Sequence, residues 1–191
     1  MDKIHLKGII ADRFAFFFEN AKGRFYKSTM MVMRDSGEED YIPIVVEESR
    51  AQLINASDFA EVTGECQTMM DGGRLLLFVM ADIILIHDID EIEFVNEVEL
   101  SGTISRKPKL RVTPKGREIS DFVLAVEGED KSHYIPCIVW GLGARLSYLN
   151  EVGDRVSIKG RFQSREYRKG SEVKTTYEVS ASKCSKLFES V

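Results

Sequence analysis

The amino-acid sequence predicts a mainly β protein made of two similar five-stranded barrels, each with one short helix. The first observation is an internal repeat: residues 4–10 (IHLKGII) return as residues 98–104 (VELSGTI), and residues 41–46 (YIPIVV) return as residues 134–139 (YIPCIV). Two units of roughly 90 residues explain this repeat better than one large domain. The second observation is that apolar and polar residues alternate with a period of two, which is typical of half-buried strands.

The second copy shows the strand pattern most clearly. Along residues 97–104 and 155–163, apolar side chains or glycines alternate with polar side chains, so one face of each strand is expected to lie in a core. Turn-forming clusters at residues 113–116 (TPKG) and 168–171 (RKGS) separate neighbouring strands. We predict strands over residues 97–104, 119–126, 134–140, 155–163 and 174–181.

A short helix interrupts the strands in both copies. Residues 144–149 place two leucines three positions apart, on one helical face, and residues 49–54 are the counterpart in the first copy. Five short strands with one helix between the third and the fourth is the layout of an OB-fold, a Greek-key barrel that binds oligomers. The predicted domains are a diverged, acidic OB-fold over residues 1–86, an acidic and apolar linker over residues 87–95, and a basic OB-fold over residues 96–191.

The charge is distributed unevenly along the chain. The formal net charge is −5, which by itself argues weakly against a nucleic-acid partner. Residues 1–86 carry nine Lys and Arg against fourteen Asp and Glu, whereas residues 97–191 carry seventeen against thirteen. Such an asymmetry indicates a polyanion site on the second half only, and the alternative is a chance spread of solvated charges.

Composition and spacing argue against several other function classes. No apolar run reaches the length of a membrane span, the three cysteines lack metal-ligand spacing, and the three histidines lack a nucleophile or a metal partner nearby in the sequence. We therefore expect a non-catalytic, cytoplasmic protein with reduced thiols, no cofactor, no metal and no membrane contact. Cys137 is expected to fill the core, and His133 is expected to end a strand in solvent.

Five ordered segments of the second copy carry a family resemblance. They are residues 96–102 (NEVELSG), 134–141 (YIPCIVWG), 152–156 (VGDRV), 160–167 (GRFQSREY) and 175–179 (TTYEV). In this order they resemble the bacterial single-stranded DNA-binding protein family, over residues 96–184. The resemblance implies an OB-fold that binds single-stranded DNA, with aromatic rings stacked on bases and cations along the phosphates. The first copy looks like a diverged relative.

The resemblance places base stacking on Tyr134, Trp140 and Tyr167. Tyr134 and Trp140 share one face of a strand, because side chains alternate, and each stacked base contributes about 1–3 kcal/mol. The alternative is that both rings are buried at an interface between barrels or subunits, where Trp and Tyr are also favoured. The predicted phosphate contacts lie on the fourth strand and on two hairpins: Arg161, Arg165, Arg168, Lys169, Lys174, Lys107, Lys109, Arg111, Lys115 and Arg117.

The first copy lacks the corresponding side chains. Glu47 and Glu65 stand where the second copy has Trp140 and Arg161. Carboxylates there repel phosphate, so we expect the first barrel to bind a strand weakly or not at all. Its first hairpin instead carries four phenylalanines, which are too apolar to leave in water. They are expected to pack on the other barrel, on another chain or on a client protein, with base stacking as the alternative: Phe14, Phe16, Phe17 and Phe18.

The sequence thus predicts a bacterial protein that binds single-stranded DNA without catalysis and largely without sequence preference, in replication, recombination or repair. The family resemblance implies an assembly of four barrels, so a dimer of this two-barrel chain is expected. Replication or recombination proteins are further candidate partners. The alternative function is a protein-interaction scaffold of a replication, recombination or mobile-element complex with little intrinsic DNA binding.

Overall fold

The computed structural model describes residues 2–88 and 92–188. The first copy contains six strands, because a turn divides its first long strand into two. They are β1 (Lys3–Ile10), β2 (Ala15–Asn20), β3 (Gly23–Met33), β4 (Glu39–Glu47), β5 (Phe59–Asp71) and β6 (Arg74–His87), with helix α1 (Glu48–Ala51) between β4 and β5.

The second copy repeats this arrangement with an undivided first strand. Its strands are β7 (Val95–Val112), β8 (Glu118–Glu127), β9 (Ser132–Trp140), β10 (Arg155–Lys169) and β11 (Glu172–Lys186), with helix α2 (Leu142–Tyr148) between β9 and β10. All five predicted strands are present, and most extend beyond the predicted limits because the hairpins that join them are themselves strand-paired.

Both copies close into barrels. In the second, the neighbouring strands follow the order β7-β8-β9-β11-β10 and return to β7, with β9 and β11 parallel. In the first, the order β1-β3-β4-β6-β5 returns to β1, with β4 and β6 parallel. This is the five-stranded OB topology, so the predicted fold class of two tandem OB-folds is confirmed.

A glycine permits closure at the same place in both barrels. Gly160 sits at a bulge in β10, where an added Cβ would lie 2.2 Å from the Ser180 carbonyl oxygen. Gly64 sits at the matching bulge in β5, where an added Cβ would lie 2.0 Å from the Met80 carbonyl oxygen. Because any side chain would collide with backbone there, the close approach of the two strands requires glycine.

The barrels are joined edge to edge by antiparallel pairing of β1 with β7. Ile4 lies opposite Val98, which is its own counterpart in the repeat, so a pseudo-twofold axis passes through this pair. Both side chains are buried, and one continuous apolar core spans the two barrels. The predicted linker lies beside this junction, where Phe94 packs edge-on against Phe59 with ring centroids 5.9 Å apart. Residues 89–91 of that linker lie outside the described residues.

Two further contacts related by the pseudo-twofold axis hold the barrels together. The Ser164 backbone N–H donates to Asp40 Oδ1 at 3.1 Å, and the Thr68 backbone N–H donates to His133 Nδ1 at 2.9 Å. Asp40 and His133 occupy matching positions in the two copies, as do Ser164 and Thr68. The start of the third strand in each barrel is therefore fixed against the fourth strand of the other barrel.

His133 corrects one prediction from the sequence. It was expected in solvent, but it is buried and accepts the Thr68 hydrogen bond. Burial lowers the pKa of the His133 imidazole, and the positive charge of Lys131 lowers it further. The neutral form is the one that can accept a hydrogen bond at Nδ1, so the environment and the bond are consistent. Cys137, in contrast, is buried in the core as predicted.

Candidate nucleic-acid interface

A groove of about 1000 Å³ runs along the seam between the two barrels. Its second-barrel side brings together five predicted site residues, from the β7–β8 hairpin, the end of β9 and the outer face of β10. Its first-barrel side is the β3–β4 hairpin, which contributes Arg34 and Tyr41. We call this the seam groove, and its predicted members are Lys115, Arg117, Trp140, Arg161 and Arg165.

Trp140 lies at the centre of this arrangement. It is half-buried, and its indole Nε1–H donates to Ser180 Oγ at 3.0 Å, which fixes the orientation of the ring. The same residue lines a second cavity of about 620 Å³ at the β1–β7 junction, together with Arg161. Trp140 therefore lies at the seam between the barrels and also lines an open groove, and its stacking on a base stays a prediction.

Arg161 is a half-buried cation without a carboxylate partner among the described residues. Its Nη2 donates to Gln163 Oε1 at 3.1 Å, while its Nε is buried and has no hydrogen-bond partner. Burial lowers the pKa of the Arg161 guanidinium, and the positive charge of Arg34 lowers it further. Since a buried unpaired charge is unfavourable, an anion bound in the seam groove would find an unoccupied partner here.

Other predicted cations already have acidic partners. Arg111 forms a two-point ion pair with Asp121, and Arg165 Nε lies 3.7 Å from Glu178 Oε1. Glu178 is buried, and burial raises the pKa of its carboxyl group, while the charge of Arg165 lowers it. The face of the second barrel beside the groove is therefore a mixture of cations and acids, and phosphate must compete with Asp121 and Glu178.

This competition leads to a prediction for Asp121→Asn. Removing the carboxylate charge frees Arg111, so we expect tighter binding of oligo-dT and a log–log salt slope that is steeper by about 0.7 for one added phosphate contact. Fluorescence anisotropy at several salt concentrations measures both quantities. The control is Glu118→Gln, which breaks the similar pair with Arg145 beside helix α2 and makes the same change in net charge. Equal responses in the two variants would contradict a local role of Arg111.

The remaining predicted residues lie outside the seam groove. Tyr134 is exposed at the start of β9, Lys109 and Arg168 are exposed, and Lys107 pairs with Glu151 at 2.9 Å. Lys174 is half-buried and pairs with Glu172 at 2.8 Å. The backbone of Lys169 ends β10, and its side chain lies outside what the structure describes.

Tyr167 faces the first barrel. It lines a shallow depression of about 560 Å³ between the tips of the β5–β6 and β10–β11 hairpins, where Arg74, Leu75 and Leu76 form the opposite side. An aromatic ring and an arginine share this depression, which the repeat alone did not indicate. Whether Tyr167 stacks on a base stays a prediction.

The pseudo-twofold axis generates a second groove of about 900 Å³, which we call the twin groove. It lies between the first barrel and the β8–β9 hairpin, and it contains Glu47 and Glu65 where the seam groove has Trp140 and Arg161. Five acids and three cations line the twin groove, whereas three acids and five cations line the seam groove. Lys22, one of the three cations, is itself paired with Glu129 and Asp130. The sequence alignment of the two copies therefore describes the charge difference correctly.

The phenylalanine hairpin packs largely on its own barrel. Phe14 contacts the main core, and Phe17 and Phe18 pack with Phe25 and Phe78 in a small second core. Much of the hairpin is thus covered by aromatic and methionine side chains of its own barrel, and contact of its exposed part with another chain or a client stays a prediction. Phe16 is 53% exposed and lies edge-on to Tyr26, with the Arg24 guanidinium 5.2 Å from its ring centroid.

Ten of the fifteen residues that line the seam groove were not predicted from the sequence, and two of them, Arg34 and Tyr41, bring a cation and an aromatic ring. Both belong to the first copy, in which the sequence predicted no nucleic-acid contact. In the described ranges, no group of three or more His, Cys, Asp or Glu side chains is arranged to hold a metal ion. No helix formed by the described residues is long and apolar enough to cross a membrane.

Comparison with known sequences identifies relatives of the second copy. The model of the single-strand binding protein family matches residues 95–187. The single-stranded DNA-binding protein of Halalkalibacterium halodurans is 37% identical over 82 residues, covering 38% of this chain and 48% of that protein. Single-stranded DNA-binding protein 3 of Listeria innocua is 33% identical over 91 residues, covering 44% of this chain and 56% of that protein. The chain thus spans about half the length of these relatives.

Comparison with solved structures covers the whole chain. The wild-type single-stranded DNA binding protein from Thermus aquaticus matches with a TM-score of 0.79 at 19% identity, covering 100% of this chain and 95% of that chain. A deletion mutant of the same protein matches with a TM-score of 0.79 at 20% identity. At this identity, the match shows that the two-barrel fold is shared.

Proposed function

We propose that this chain, whose residues 95–187 match the model of the single-strand binding protein family, binds single-stranded DNA through the seam groove. The observation that carries the proposal is the groove itself, where Trp140 lies among five cations and where Arg161 has no carboxylate partner among the described residues. Related proteins bear the name single-stranded DNA-binding protein, which supports the same ligand. We place this binding in replication, recombination or repair.

Binding in this groove is non-covalent and needs little sequence preference. Every base has a π face, so a strand stacks on Trp140 whatever its sequence, at about 1–3 kcal/mol per base. Lys115, Arg117, Arg161 and Arg165 follow the phosphates and release condensed counterions as the strand binds. The net charge of −5 does not oppose this, because the acids are concentrated in the first copy and in the twin groove.

A salt titration tests the proposal. Anisotropy of labelled oligo-dT is measured with the full-length chain from low to high salt. Two to five phosphate contacts give a log–log slope of roughly −1.4 to −3.5. Absence of binding at low salt, or an affinity that barely responds to salt, contradicts phosphate recognition. Absence of binding favours the alternative, a protein-interaction scaffold with little intrinsic DNA binding.

The first barrel is proposed to bind strand weakly or not at all in its own groove. Its five lining acids repel phosphate, and Phe18, Phe25 and Phe78 occupy the floor. The two barrels share β1–β7 pairing and one core, so separate fragments are a poor test. The stoichiometry of strand on the full-length chain is the better measure, and one saturable oligo-dT site per chain for a short oligonucleotide is the expected result.

We also propose that two chains associate into a dimer of four barrels. Across the β1–β7 junction, β11, β10, β7, β1, β5 and β6 form a six-stranded face. On that face Ile83 and Leu85 are 53% and 52% exposed, whereas Lys183 and Ser185 occupy the matching positions of the second barrel. An exposed apolar edge on a broad sheet favours contact with a second copy.

Sedimentation equilibrium tests this association. The wild-type chain is expected to sediment with twice the chain mass of 21.7 kDa at high concentration. Leu85→Lys gives the first barrel a cation on this face, as Lys183 does in the second, and is expected to shift the equilibrium toward the monomer. A wild-type chain that stays monomeric throughout, or a Leu85→Lys dimer of undiminished strength, would count against this interface.

A further inference from the structure

The seam groove has two walls, and one of them belongs to the first barrel. The β3–β4 hairpin leans across the seam, so that Arg34 and Tyr41 face the same groove as Trp140 and Arg165. Nothing in the resemblance of the second copy to its relatives assigns a role to this hairpin, because the matched family region begins at residue 95.

Hydrogen bonds to β10 of the second barrel hold the β3–β4 hairpin in place. The Tyr41 backbone N–H donates to Ser164 Oγ at 2.8 Å, and the Ser164 backbone N–H donates to Asp40 Oδ1 at 3.1 Å. Asp40 is fully buried and also pairs with Arg34 of the same barrel, whose Nε lies 2.7 Å from Asp40 Oδ2. A wall held by a reciprocal pair of hydrogen bonds and a buried ion pair is preorganised for binding.

Tyr41 presents its ring to the groove. The residue is 45% exposed, and its hydroxyl donates to Glu39 Oε2 at 2.6 Å, which limits rotation of the ring. Aromatic side chains in a cationic groove are the usual stacking surface for a single strand. We propose that the strand-binding groove is shared by both barrels, with Tyr41 of the first barrel stacking on a base opposite the wall that holds Trp140.

The charges on the β3–β4 hairpin are compatible with the binding of single-stranded DNA. Two of the three acids in the groove have partners within the hairpin, since Glu38 pairs with Arg34 and Glu39 accepts the Tyr41 hydroxyl. Arg161 lies across the groove, and its partly buried guanidinium has no carboxylate partner in the part of the chain that the structure describes. The anionic backbone of a strand is therefore attracted to the β10 side, which leaves its bases to face Tyr41.

The twin groove supports this assignment by contrast. There the corresponding hairpin is β8–β9, and the residues it contributes are Glu129, Asp130, Lys131 and His133, with no tyrosine, tryptophan or phenylalanine among the lining residues that the structure describes on this hairpin. Tyr134, the counterpart of Tyr41 in the repeat, does not line the twin groove. The β3–β4 hairpin, which carries Tyr41, thus lines the cationic seam groove. The β8–β9 hairpin, which carries Glu129 and Asp130, lines the acidic twin groove.

The inference rests on the proposed function, and single substitutions in the full-length chain test it. Tyr41→Ala and Tyr41→Leu both remove the ring, and Tyr41→Leu keeps much of its bulk. Each is expected to weaken oligo-dT binding by about 5- to 150-fold, the range for loss of one stacked base. Tyr41→Phe keeps the ring and is expected to bind within about 3-fold of wild type. The matched control is Tyr148→Ala on helix α2, which removes a ring that is 44% exposed and lies outside the groove.

The outcomes separate this inference from the function on which it rests. A wild-type chain that does not bind oligo-dT at low salt overturns the proposed function. A wild-type chain that binds, with Trp140→Ala weakened but Tyr41→Ala and Tyr41→Leu unchanged, overturns the shared groove alone. Equal losses in Tyr41→Phe and Tyr41→Ala show that the hydroxyl rather than the ring matters, which also overturns stacking. Thermal melting of each variant confirms that it is folded at the assay temperature.

Discussion

Replacing Trp140 with alanine is expected to weaken the binding of oligo-dT by about 5- to 150-fold, which corresponds to about 1–3 kcal/mol for one stacked base. The expectation follows from the position of Trp140 in the seam groove and from the hydrogen bond to Ser180 that fixes its ring. Anisotropy titrations of wild type and variant at one salt concentration measure the change. The salt slope is expected to stay the same, because the substitution removes no cation.

Two comparisons make this result specific to stacking. Trp140→Phe keeps an aromatic ring and is expected to recover part of the affinity, although it loses the indole donor to Ser180. Because Trp140 is half-buried, each variant is also melted, and binding is compared well below the lower melting temperature. An unchanged affinity in a folded Trp140→Ala variant would show that the ring serves only the seam between the barrels.

The second large effect is on the stability of the fold. It arises because the two copies carry different residues at one matching pair of positions, Asn96 in the second and Asp2 in the first. In the second barrel, the Asn96 side chain holds the Phe162 backbone from both sides: Nδ2–H donates to the Phe162 carbonyl, and Oδ1 accepts the Phe162 N–H, both at 2.8 Å. Asp2 and Cys66 occupy the matching positions in the first barrel. A carboxylate cannot donate to a carbonyl, and Asp2 Oδ1 is buried with no hydrogen-bond partner within residues 2–88 and 92–188.

Asp2→Asn is therefore expected to stabilise the protein at alkaline pH. Burial, reinforced by the charge of Glu65, raises the pKa of Asp2 to about 7. In the unfolded chain the pKa is near 3.9, so folding takes up a proton between these values, and the native state loses stability as the pH rises through this window. This loss of stability is complete above pH 7. The difference between the two pKa values of Asp2 limits it to about 4 kcal/mol, and the uncharged asparagine does not undergo it.

Thermal melts of wild type and Asp2→Asn across the pH range test this expectation. The variant is expected to melt higher at pH 8, and its advantage is expected to shrink steadily toward pH 4. A constant difference between the two proteins would mean that Asp2 does not titrate in this window. As a control, Asn96→Asp transfers the same mismatch to the second barrel and is expected to destabilise the protein at pH 8.

Much of the fold could be predicted from the sequence because its signals are local. Alternation along residues 97–104 and 155–163 marks strands, and the repeat extends that assignment to the first copy. The limits of β10 and β11 could not be predicted, because Arg165, Tyr167 and Thr175 are polar or exposed and remain in strand conformation only through mutual pairing. The pairing of β1 with β7 could not be predicted from the sequence either, because pairing between barrels depends on strand register rather than on composition.

The candidate site was predicted only in part for the same reason. Trp140, Arg161 and Arg165 follow from motifs within one copy, and the structure brings them into one groove. Tyr41 enters that groove only because the third strand of one barrel is fixed against the fourth strand of the other. His133 shows the same limitation, since this strand end was expected in solvent but is buried against Thr68 of the first barrel.

The two copies show how one fold can carry different outward-facing side chains on the same framework. The topology, the glycine at each closure point and the contacts at the seam are retained in both barrels. At matching positions, Arg161 becomes Glu65 and Trp140 becomes Glu47, and an aromatic cluster around Phe25 and Phe78 covers the face. The difference in function proposed for the two barrels therefore depends on a few outward-facing side chains, while the cores stay similar.

The measurement that tests the central claim most directly is a fluorescence titration with oligo-dT at low and high salt. Trp140 is the only tryptophan in the chain, so the fluorescence signal reports on the surroundings of this one side chain, which lines the seam groove. We expect strong quenching of Trp140 fluorescence at low salt that reverses as salt is added, because stacking changes the indole environment and phosphate contacts hold the strand in place. Tight binding by anisotropy with no change in Trp140 fluorescence would place the strand elsewhere on the protein. Absence of both signals would contradict DNA binding itself.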